Sequence, residues 1–121
     1  MKRDLDLIRK LLLEVEASDG DLATSDIEMD PWSPEEISYN TRLLIENEFL
    51  TGLDDTDMGM GQLRNFINLR LTWAGHDYLD AVRSDATWKK VTEKLQSVGG
   101  SVALDIVKDL GTAFIRQQLD L

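Results

Sequence analysis

Two helix-start signals bracket a polar, glycine-bearing stretch, and that arrangement constrains the fold more than anything else in the chain. Ser33-Pro34-Glu35-Glu36 opens the run SPEEISYNTRLLIENEF. Its Ser can cap, Pro suits the first helical position, and Glu36 at the third can close a reciprocal capping box. Thr72 opens a second helix at Thr72-Trp73-Ala74-Gly75-His76-Asp77. Between them, Leu50–Leu53 and Phe66–Leu71 read as strands, and the polar residues 54–65 (DDTDMGMGQLRN) read as the loop joining them. Helix, two antiparallel strands, helix is the expected order.

The flanks are helical. Leu5, Ile8, Leu11, Leu12 and Val15 recur at steps of three and four, predicting an amphipathic helix over 4–17 with Asp4 and Asp6 in its first turn. Ser18-Asp19-Gly20 ends it. Ile27 and Met29, two apart, permit a short edge strand at 26–30. The expected buried stripe of the helix 34–48 is Ile37, Thr41, Leu44 and Ile45, with Ser38, Tyr39, Arg42 and Glu46 turned away. The helix from Thr72 continues through Leu79 and Val82 to Trp88, Val91 and Leu95, with a break near Ser84-Asp85. Gly99-Gly100 is the clearest linker, after which Ser101 is expected to cap a last helix. There Ala103, Ile106, Val107, Leu110 and Phe114 repeat at near-heptad spacing. The predicted fold class is mostly α with one small antiparallel sheet (α+β). One main domain spans 1–98, and a Gly-Gly hinge with a C-terminal helix, either part of the same domain or a dimerisation arm, spans 99–121.

This order matches the back half of a winged-helix domain, whose wing would be the loop 54–65. Leu71-Thr72-Trp73-Ala74-Gly75 resembles the Leu-Thr-x-x-Gly segment that follows the wing in regulators of the MarR and PadR kind. Residues 19–32 look extended, so the first helix of a helix-turn-helix pair is missing and a reduced winged helix is the better description. More specifically, MKRDLDLIRKLL, SPEEISYNTRLLIE, RLTWAGHDYLDAVRSDATWKK and GGSVALDIVKDL resemble, in order and over nearly the whole chain, a bacterial and phage group known as domain-of-unknown-function 2513. The resemblance implies a small prophage-associated accessory protein. The chain departs from the family pattern at Asn47-Glu48-Phe49, where related sequences end the central helix in a small residue and glycine.

Charge decides how far a DNA-binding expectation can be pressed. The net charge is −10 over 121 residues, and it is unevenly placed. Residues 4–60 hold sixteen Asp/Glu against Arg9, Lys10 and Arg42, whereas residues 61–121 are nearly balanced. Affinity for a duplex comes from Lys and Arg displacing counterions, so the usual electrostatic footprint is lacking. Ser38, Tyr39, Asn40 and Arg42 on the helix 34–48, with Arg64 in the wing, are the candidate contacts to DNA or to a protein partner. Ala103, Ile106, Val107, Leu110 and Phe114 are the candidate interface of a homodimer. An alternative expectation is an acidic inhibitor that imitates nucleic acid and blocks a host DNA-binding or defence protein.

Chemistry is not expected. The absence of cysteine excludes disulfides and thiol catalysis and suits a reducing cytoplasm. Asp54-Asp55-Thr56-Asp57 lacks the terminal Glu of a calcium loop and reads as a solvated hairpin. His76 and Asp77 point about 100° apart on a helix and do not face each other. Trp73 and Trp88 are expected in the core, and His76 is expected to bridge helix and wing. No cofactor, metal or catalytic residue is assigned, no apolar run approaches the ~18 residues that span a bilayer, and no signal peptide is read at the N-terminus.

Overall fold

The computed structural model describes residues 1–57, 63–100 and 102–121. The chain folds as two compact units, Met1–His76 and Asp77–Leu121.

The first unit opens with α1 (Leu5–Ala17). Asp4 caps it by accepting from the Leu7 N–H at 3.0 Å, and Leu7, Ile8, Leu11, Leu12 and Val15 form the buried stripe. Ser18 closes it: its N–H and its Oγ both donate to the Val15 carbonyl, at 3.1 and 2.7 Å. α2 (Pro34–Glu46) carries the full capping box. Ser33 Oγ accepts from Glu36 N–H, and Glu36 Oε1 accepts from Ser33 N–H, both at 3.1 Å. The helix ends two residues before the expected 48. The Phe49 N–H reaches back to Leu44 O at 2.9 Å and the Glu48 N–H to Ile45 O at 3.1 Å. That pair of bonds is a Schellman termination, and it places Glu48 in the left-handed region at φ 64°.

β1 (Leu50–Asp54) and β2 (Phe66–Leu71) pair antiparallel, as the sequence predicts. Thr51 faces Arg70 and Leu53 faces Ile67, so one extra residue is held on β2. Asn68, at φ 54°, lies in that bulge. Residues 58–62 of the expected wing lie outside the described residues.

The expected strand at 26–30 does not form; Thr24–Asp26 is a single 3-10 turn. The free edge of β2 is taken slightly earlier in the chain. Leu69 N–H donates to Leu22 O at 3.1 Å. Thr24 Oγ1 exchanges hydrogen bonds with the Phe66 N–H and carbonyl, each at 3.3 Å.

α3 (Trp73–Val82) begins in the first unit and ends in the second. Thr72 Oγ1 accepts from Gly75 N–H at 3.0 Å, completing the predicted cap. Gly75 is there for closeness: a Cβ on it would lie 2.1 Å from the Phe49 carbonyl oxygen, which itself accepts from Thr72 N–H at 3.1 Å.

The second unit adds α4 (Asp85–Gln96) and α5 (Leu104–Gln118). The break before α4 is where the sequence places it, with Ser84 Oγ accepting from Thr87 N–H at 3.3 Å. Trp88, Val91 and Leu95 are buried. Gly99 and Gly100 take φ of 97° and 86°. The expected cap Ser101 lies outside the described residues, and the residue that precedes α5 is Ala103, which has no capping side chain. α5 packs on α4. Where it crosses the end of α3, a Cβ on Gly111 would lie 2.1 Å from the Ala81 carbonyl oxygen.

Candidate functional site

The five candidate contact residues do not make one exposed face. Ser38 is buried, and its Oγ donates to the Arg64 carbonyl at 2.7 Å, fastening α2 to the hairpin. Asn40 is also buried, at 1% exposure. Its Oδ1 accepts from Asp4 N–H at 3.0 Å and its Nδ2 donates to Glu36 O at 2.9 Å, so it joins α2 to the start of α1. The expectation that Ser38 turns away from the core is therefore corrected. Tyr39 is half-buried, and Arg42 is exposed. Arg42 spends its charge on Glu46, at 2.8 Å one turn along the same helix.

Arg64 pairs with Asp54 across the hairpin and lies over the Phe66 ring, 5.8 Å from its centroid. Asp54 also accepts from the Thr56 hydroxyl and N–H, at 2.6 and 3.0 Å. These two Thr56 bonds, and after them the Arg64 guanidinium, hold the Asp54 carboxyl below the ordinary aspartate range. Ser38 and Arg64 line one cleft of about 370 Å³, and Glu28, Asp55 and Asp57 line it too. A phosphate entering there meets three carboxylates beside one arginine already paired with Asp54.

His76 is exposed and lines a shallow cleft of about 270 Å³ with Glu16, Asp19 and Arg70. The Arg70 guanidinium lies over Gly20, whose missing Cβ leaves it room. Among the described residues, no three His, Cys, Asp or Glu side chains gather as a metal site, and no helix is long and apolar enough to cross a membrane.

Of the expected dimer stripe on α5, Val107 is fully buried inside the second unit. Leu110 and Phe114 are half-buried, and Lys90 sits 5.9 Å above the Phe114 ring. Ala103 and Ile106 remain exposed.

Trp88 is in the core, but Trp73 is not: it is 84% exposed, which corrects the expectation for it. Trp73 borders a groove of about 590 Å³ lined by Ile45, Asn47, Glu48, Leu50, Thr51, Gly52, Thr72 and Ala74. Helical phase carries the signal that sequence reasoning passed over. The buried stripe of α3 runs through Gly75, Tyr78, Leu79 and Val82, and a residue two positions before Gly75 points about 200° away from it.

The molecule is thus a small, acidic, mostly α protein with a two-stranded sheet and an open groove beside an exposed tryptophan. A family model described as Hypothetical protein (DUF2513) matches residues 2–101, and the chain belongs to that family. A Haemophilus influenzae protein described as an uncharacterized protein is 30% identical over 122 residues, covering 98% of this chain and 99% of its own length. No solved structure matches the chain.

Proposed function

We propose that this chain is a non-enzymatic accessory protein of the reduced winged-helix kind that works by docking on a protein partner and not by reading DNA. One observation carries the choice of partner. Of the expected nucleic-acid contacts, Ser38 and Asn40 are spent inside the fold, and both cations already pair with carboxylates, Glu46 and Asp54. Charge agrees, since the unit Met1–His76 holds sixteen Asp/Glu against seven Lys/Arg. Of those sixteen, only Asp4 and Glu36 are not exposed. Carboxylates left in solvent on that scale repel a phosphate lattice and steer a basic surface toward the protein. The same exposure favours a second reading, in which the acidic surface occupies the nucleic-acid site of a basic partner.

Fluorescence anisotropy with a mixed-sequence duplex tests the choice, with no binding expected even at about 50 mM salt, where non-specific affinity is strong. Binding that weakens steeply as salt rises would overturn it. Affinity capture from bacterial lysate should retain a basic protein that raised salt releases. Release by added competing DNA selects the mimic reading; retention in its presence selects docking elsewhere on the partner.

A further inference from the structure

We propose that the groove between the end of α2, β1 and the start of α3 binds a basic, extended segment of another protein, one Arg or Lys of which sits between the Trp73 indole and the Glu48 carboxylate. The proposal rests on the docking reading and names its surface.

Trp73 gives the first reason. It stands 84% exposed at the opening of α3, a turn already fixed by the Thr72 cap and the Gly75 approach. Neither device uses an indole. A large rigid aromatic left in solvent beside a cleft is the residue type that dominates binding at protein interfaces. The cleft, about 590 Å³, falls within the range of side-chain and ligand pockets. Half-buried Ile45 provides apolar lining, and Leu50 belongs to the core.

Glu48 gives the second. Among the described residues it is the one ionisable group lining the groove. It holds a φ of 64°, in the left-handed region that residues other than glycine seldom adopt. The backbone around it is tied down by the bonds to Leu44 and Ile45 and by the Thr72 hydroxyl, which donates to the Glu48 carbonyl. Glu48 and Trp73 thus line one groove, the glutamate carried on a turn whose backbone is fixed. That pairing suits a cation, through the ring quadrupole on one side and a charge-assisted hydrogen bond on the other.

Charge also selects the occupant. Among the described residues no Lys or Arg lines the groove, and the surrounding unit is strongly acidic. A second copy of the chain fits poorly, because an isologous contact would set this acidic patch against itself.

The test is a 15N NMR titration of the full chain with a capped Arg-Leu-Arg-Leu peptide, and with Glu-Leu-Glu-Leu as its control. Shifts should centre on the Trp73 indole N–H and on amides of residues 45–52 and 72–74, with a dissociation constant of roughly 1 mM or tighter. Trp73→Ala, at an exposed position, should keep the remaining spectrum and weaken binding about tenfold, and Glu48→Gln about threefold. No shifts, an equal response to the acidic peptide, or a diffuse response that survives Trp73→Ala overturns the proposal. So does a doubled mass in light scattering that Trp73→Ala abolishes, which assigns the groove to a second copy. If the titration fails while the intact chain still captures a lysate partner, the groove falls and the docking reading stands.

Discussion

Asn40 is the residue at which chemistry and position part. An amide on a helix of this kind suggests base recognition, yet Ile37, Asn40 and Leu44 are three and four apart and share one face. The phase was in the sequence; the polar side chain obscured it, because the bond from Asp4 N–H to Asn40 Oδ1 spans 36 positions and leaves no local trace. Asn40→Ala should therefore register as lost stability. Leaving the part-buried Asp4 donor without its acceptor costs about 1–3 kcal/mol, read as a lower thermal midpoint. Glu48 behaves in the opposite sense. Glu48→Gly removes a left-handed penalty of about 1–2 kcal/mol and adds about 0.4–1 kcal/mol of unfolded-chain entropy. A net gain near 0.5–1 kcal/mol in chemical denaturation is expected. The same variant should lose affinity for the basic peptide, the usual exchange of stability against a functional group.

Helices and strands were legible wherever a local signal marks them. The Ser33-to-Glu36 capping box, the Thr72 cap, the break near Ser84-Asp85 and the strand Phe66–Leu71 all fold as the sequence implies. The third strand at 26–30 was not legible, because the competition for the β2 edge is won by Leu22 and Thr24 through bonds to residues more than forty positions away. Gly111 shows the limit of propensity. Alone in a helix it is a weakness of about 1 kcal/mol against Ala, and the sequence gives no sign that another backbone lies against it. With the Ala81 carbonyl oxygen 2.1 Å from the missing Cβ, Gly111→Ala must push α5 off its neighbour. Overpacking of that kind costs about 1–3 kcal/mol or more and outweighs the propensity gain. The expected result is a chain destabilised by roughly 2 kcal/mol in urea melts, against a stabilisation if propensity ruled.

At the scale of the molecule, acidity was fully legible and its consequence is measurable. Fourteen exposed carboxylates in one unit repel each other when the chain folds. Added salt shortens the reach of that repulsion from about 30 Å at 0.01 M to about 10 Å at 0.1 M. The thermal midpoint should rise over that interval by a few degrees in a neutral salt such as sodium chloride; a fall would show that favourable ion pairs outweigh the repulsion. What the sequence could not give was the groove. It is made by the Schellman turn, β1 and the cap of α3 meeting in space, and Trp73 is its one member whose helical phase hinted at it.

The pairing of Leu22 and Thr24 with β2 has one more consequence. A two-stranded ribbon ordinarily offers an open margin to which identical ribbons add, the first step toward fibres. Here that margin carries a main-chain lid at Leu69 and a hydroxyl lid at Phe66. Stacking of hairpins on that side is closed off by a tether too short to be a strand itself.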